Sequence, residues 1–157
     1  MYVSRTNSEK LTGDFALWNL PWVEKFLLHP TVKVVVLKQN RTETVQNFIK
    51  WYSKMKVFPW LTNSQLEKSE KYKNFSNNIV FESCYPKYEN LKPEFSMASI
   101  AARYYDDYYS TVDNLLKNYT GRVKYYDPDI LLKDKNMLSE FFEWLGLEQP
   151  YKFKHVS

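Results

Sequence analysis

The stretch VKVVVLKQNRTETVQN, residues 32–47, decides how this chain is read. Its first half is β-branched and apolar. The consecutive residues Val34 to Leu37 suit a strand covered on both faces, as in a parallel sheet. The apolar run stops at Lys38-Gln39-Asn40-Arg41, and Val45, Phe48, Ile49 and Tyr52 then fall on one helical stripe. We therefore predict a strand over 32–38 and a helix over 42–56. A helix N-terminus offers backbone N–H groups and the positive end of a dipole. Open α/β sheets bind ligands beyond the carboxyl ends of their strands. Lys38, Gln39, Asn40 and Arg41, with Asn47 one to two turns into the helix, are thus candidates for holding a phosphate. Residue types alone leave a second reading open, with Lys38 and Arg41 solvated and Asn40 simply the helix cap.

Working outward, 16–28 places Leu17, Leu20, Val23, Phe26 and Leu27 near helical spacing. Pro21 puts the start of that helix near Leu20, and His29-Pro30 stops it. Residues 1–14 are polar and aperiodic, and read as a loose arm. After the central helix, Val57-Phe58-Pro59-Trp60-Leu61 is an apolar knot, the following polar segment allows a short exposed helix, and 79–81 allows a short strand. Pro86 and Pro93 mark irregular chain. Residues 94–119 give the clearest helix, with Met97, Ile100, Tyr104, Tyr108, Val112, Leu115 and Tyr119 on one stripe and Gly121 closing it. A strand over 123–126, a helix over 136–145 ended by Gly146, and an unpatterned tail over 149–157 complete the chain. Strands alternating with helices imply one α/β domain over 1–157, three-layered around a small parallel sheet.

Composition excludes several classes. Aromatics reach 18% and apolar residues 44%, which argues against disorder. The net charge is +4, but only four of the 22 basic residues are Arg, so a general nucleic-acid surface is not expected. A single cysteine, Cys84, excludes an internal disulfide and a Cys-based zinc site. His29 and His155 are too far apart in sequence to suggest a transition-metal site, and no metal is expected. No secretory leader or membrane-length apolar run occurs, so the expected setting is soluble and cytoplasmic, with no membrane partner. Glycosylation-type triplets at Asn40, Asn74 and Asn118 then read as chance matches.

Three segments together resemble the sulfotransferase family: the strand-loop-helix at 32–52, the helix at 97–119, and GRVKYYDPDILLKDKNMLSEFFEWLGL at 121–147. The resemblance implies a fold similar to P-loop kinases and sulfonate transfer from PAPS to a hydroxyl or amine. It also implies that the chain corresponds to the C-terminal portion of that fold, N-terminally truncated and without the loop that wraps the phosphosulfate. The Arg that grips the 3′-phosphate of PAPS, or of adenosine 3′,5′-bisphosphate, falls on Gln39. The family's Asp/Asn falls on Asn40, its Pro on Arg41 and its partner Ser on Asn47. A hydrogen bond to a charged group contributes about 1.5–3 kcal/mol against roughly 1 for a neutral pair, so Gln39 implies weakened phosphate binding. Without the family's first strand, Val34 to Leu37 would present an open edge, which implies a homo-oligomer or a partner chain. A non-enzymatic binding or assembly module on the same scaffold is the alternative. A glycan- or nucleotide-handling enzyme completed by a partner subunit is a third reading.

Other residues carry weaker signals. His29 has no visible partner as a base. Asp106 and Asp107 read as a solvated helix face, and Asp127 and Asp129 as turn or capping residues. The tyrosine stripe of 104, 105, 108 and 109, with Tyr119, Tyr125 and Tyr126, could stack bases or sugars but at helical spacing reads mainly as core.

Overall fold

The computed structural model describes residues 2–5, 11–14, 17–77, 88, 90 and 95–147, with side chains described from residue 20 onward. In chain order the elements are β1 (Tyr2–Arg5), β2 (Leu11–Asp14), a 3-10 segment (Leu17–Trp22), α1 (Val23–Leu27), β3 (Lys33–Leu37), α2 (Arg41–Met55), α3 (Asn63–Glu67), α4 (Met97–Asn118), β4 (Val123–Tyr126), α5 (Pro128–Leu131) and α6 (Lys135–Leu145). Around the central stretch the expected boundaries hold to within about a residue. Upstream, Pro21 lies inside the 3-10 segment, and the α-helix starts at Val23 rather than near Leu20. Helix α5 was not expected. It forms because the Asp127 carboxylate accepts hydrogen bonds from the backbone N–H groups of Asp129 and Ile130, with Pro128 in the first turn. The expectations at 79–81, Cys84, Pro86, Pro93, the 149–157 tail and His155 lie outside the described residues.

The four strands run in the order β2-β1-β3-β4. β3 and β4 are parallel, from Val34 opposite Val123 to Leu37 opposite Tyr126. β1 is antiparallel to both β2 and β3. The sheet is therefore mixed rather than wholly parallel. Two expectations are corrected by this. Residues 2–5 and 11–14 are not a loose arm but a pair of strands, too short for a period of two to show against their polar residues. Nor is β3 an open edge along its length, because Tyr2 and Val3 pair with Val34 and Lys33 and take up backbone groups there.

Alternation along β3 builds the three layers. Val34 and Val36 face α1 and the C-terminal half of α4, joining Leu20, Leu27, Val112 and Leu115. Val35 faces the other way, onto Leu131, Phe141 and Leu145 of α5 and α6. A period of two delivers neighbouring valines to opposite faces, and both faces carry helices.

A second core lies beside the sheet. Tyr52 of α2, the knot Val57-Phe58-Trp60-Leu61, Leu66 of α3, Tyr72, Tyr88 and the first half of α4 pack together there. Phe58 and Leu61 are fully buried, and Trp60 is 2% exposed. The rings meet edge to face: Tyr52 on Trp60 at 5.0 Å between centroids, and Phe58 on Tyr72 at 4.9 Å. Tyr108 of α4 packs against both cores.

Candidate functional site

β3 ends at Leu37, and its chain crosses to α2 over Lys38, Gln39 and Asn40. Helix α4 lies over this crossing, and two of its tyrosines, one turn apart, hold it. The Tyr105 hydroxyl donates to the Gln39 carbonyl at 2.7 Å, and the Tyr109 hydroxyl donates to the Leu37 carbonyl at 3.0 Å. Burial pushes both phenols above their ordinary range. The Tyr125 phenol is also pushed up, by burial first and then by Asp113, whose carboxylate accepts a hydrogen bond from its hydroxyl at 2.9 Å. These hydroxyls therefore stay protonated near neutral pH and act as fixed donors.

Four of the five residues proposed from the sequence have a place in this arrangement. Asn40 is the N-cap of α2: its side-chain oxygen accepts from Thr42 N at 2.9 Å and Glu43 N at 3.2 Å. Arg41 forms a two-pronged pair with Asp106 on α4, Nε to Oδ1 at 2.8 Å and a terminal nitrogen to Oδ2 at 2.7 Å. Both side chains are about half exposed. The hydrogen bond to Arg41 lowers the Asp106 carboxyl below its usual pKa, and the same bond raises that of Arg41. The Lys38 ammonium rests over two rings, 5.0 Å from Tyr109 and 4.8 Å from Tyr125. Gln39 is exposed and lines a pocket; Asn47 is exposed on α2 and does not line it. Lys38, Gln39, Asn40 and Arg41 are thus brought together, and Asn47 stands apart. The fork of Arg41 and the cap of α2 already have partners within the chain. An anion would have to displace Asp106 or Asn40 to reach them.

The pocket has a volume of about 120 Å³. Phe48 of α2 and Tyr104, Tyr105, Tyr108 and Tyr109 of α4 supply its aromatic walls. Leu37 and Thr44 complete the lining with Gln39. The Thr44 hydroxyl donates to the Asn40 carbonyl at 2.8 Å. Among the described residues no cluster of His, Cys, Asp and Glu could hold a metal ion. None of the described helices is long and apolar enough to cross a membrane.

Comparison with protein-family models, with curated proteins and with solved structures gives no match to this chain.

Sequence reasoning missed Thr44, Phe48 and Asp106 as site residues. Phe48 and Tyr104 were assigned to core stripes, and both are partly that. Asp106 and Asp107 do point apart, as their adjacency on a helix requires, but neither is merely solvated. Asp107 accepts from the Tyr88 hydroxyl at 2.7 Å and pairs with Arg103 at 3.5 Å. The doubled tyrosines at 104–105 and 108–109 were the available signal, since positions i, i+1, i+4 and i+5 share one broad helix face. Other notable residues are structural. The Arg122 guanidinium donates to the carbonyls of Leu27 at 2.8 Å and His29 at 3.1 Å, closing the end of α1. The Trp144 indole donates to the Gly121 carbonyl at 2.8 Å.

Proposed function

We propose that this chain is a small-molecule binding module on a sulfotransferase-like α/β scaffold. The observation that carries this reading is the aromatic pocket where β3 hands over to α2, at the carboxyl ends of the parallel strands. Its walls are set by packed rings and by hydroxyls bonded to backbone, so the pocket is preformed. That limits the ordering cost of binding.

The second reading is sulfonate transfer from PAPS. Lys38 favours it, because its ammonium stands at the strand end where a phosphate would approach. Calorimetric titration with adenosine 3′,5′-bisphosphate separates the two. The module reading expects little or no heat with the native chain, and measurable binding with Asp106→Asn, which frees the Arg41 fork. Micromolar binding by the native chain, lost in Lys38→Ala, would restore the enzyme reading.

A further inference from the structure

The hydroxyls around the pocket have a direction. Tyr105, Tyr109 and Thr44 each own a single hydroxyl proton, and each gives it to a backbone carbonyl: of Gln39, Leu37 and Asn40 respectively. Toward a ligand these three oxygens can only accept. Burial keeps the two phenols neutral, so the donated protons stay in place. The rest of the lining is aromatic or apolar (Phe48, Tyr104, Tyr108 and Leu37) apart from Gln39, whose amide both donates and accepts and so favours neither charge. Ring faces carry partial negative charge. Three acceptor-only oxygens among aromatic rings disfavour a phosphate and favour a positive centre. The chain already displays this attraction at the rim, where the Lys38 ammonium lies within 5.0 Å of the Tyr109 and Tyr125 ring centroids.

The second cation nearby, Arg41, is matched by Asp106, and further carboxylates stand at Glu43 and Asp113. Lys38 is thus the cation that would compete, and its flexible stem lets the ammonium move out to water. Size narrows the ligand further. A dry cavity on the order of 150 Å³ holds a benzene, so about 120 Å³ suits a head group no larger than one ring.

From the direction of these hydrogen bonds and the aromatic walls, we infer that the pocket recognises a compact organic ammonium, a quaternary or N-methylated head group. This rests on the binding-module reading above and names the chemistry of its ligand.

The test compares choline with its uncharged isostere 3,3-dimethylbutan-1-ol, followed by the chemical shifts of backbone amides in the native chain. Choline should shift residues 37–48 and 104–109, and should bind about tenfold or more tightly than the alcohol, the margin a partly desolvated cation–π site supplies. Lys38→Met should tighten choline further and leave the alcohol unchanged. Equal binding of choline and the alcohol would overturn the ammonium inference while leaving a small-molecule module. Preferential binding of adenosine 3′,5′-bisphosphate at the same amides, weakened by Lys38→Met, would also overturn it. No shifts with any of the three at millimolar concentration, in a folded protein, would sink the binding module itself.

Discussion

The sheet core and the aromatic core differ in the kind of side chain that fills them and in how that filling is organised. Around β3 the filling is largely aliphatic: valines alternating between two helical layers, with leucines from α1, α4 and α5 against them. Beside α2 it is a cluster of rings from the knot at 57–61, from Tyr52, Tyr72 and Tyr104, meeting edge to face. Periodic backbone organises the first region. In the second, segments with no period are held by ring geometry and by tyrosine hydroxyls, such as that of Tyr72, which accepts from Met97 N at 3.1 Å at the start of α4. Helix α4 joins the two, its first half in one core and its second half in the other. The candidate pocket sits at this junction.

The sharpest way to break that comparison is to hollow out one core at a time. Trp60→Ala should cost about 3–5 kcal/mol and Leu27→Ala about 2–5 kcal/mol, read by urea unfolding. Both residues are nearly fully buried, at 2% and 1% exposure. Because α4 is common to both regions, each variant should still unfold in one transition seen alike by tryptophan fluorescence and circular dichroism. A split transition in Trp60→Ala, with the sheet signal persisting, would mean that the cores are independent.

Alkali should act next, and at the junction. Burial raises the phenols of Tyr105, Tyr108, Tyr109, Tyr125 and Tyr126 above 10.0. A folded-state pKa above the unfolded one means that the unfolded chain loses its protons first. This stabilisation is complete below about pH 10 and is lost as pH rises through the higher folded values. Thermal melts should hold steady from pH 7 to pH 9 and fall beyond pH 10, as tyrosinate absorbance rises. Full tyrosinate formation near pH 10 without loss of structure would show that these phenols are not held as described.

The smallest effect tests the strand end itself. Asn40→Ala removes the oxygen that caps two amides of α2 and should cost about 1 kcal/mol by urea unfolding. A loss as large as that of Leu27→Ala would give the cap a role in the sheet core that its exposure does not suggest.

The stripe of α4 was legible because one face of one helix is turned inward along its length, with Tyr108 and Tyr119 half-buried. Met97, Ile100, Tyr104, Val112 and Leu115 are all buried as their spacing implies. The alternation of strand and helix around 33–55 was legible for the same reason. The knot at 57–61 was visible as an apolar cluster but not interpretable. Its partners Tyr72 and Tyr88 lie far along the chain, and no period connects them. In the site, Asn40 as a cap could be read from its place before a helix, whereas the partner of Arg41 could not, since Asp106 lies 65 residues away.

The sequence by itself determined the succession of strand and helix around 33–55, the two-sided burial of β3 and the face that α4 turns inward. These follow from residue periodicity and need no knowledge of what lies opposite. Tertiary structure decided that β1 pairs with β3, that Arg41 is matched by Asp106, and that the hydroxyls of Tyr105 and Tyr109 meet carbonyls 66 and 72 residues away. Such contacts depend on where α4 crosses the end of β3. Packing sets that crossing, and it leaves no local pattern in either segment.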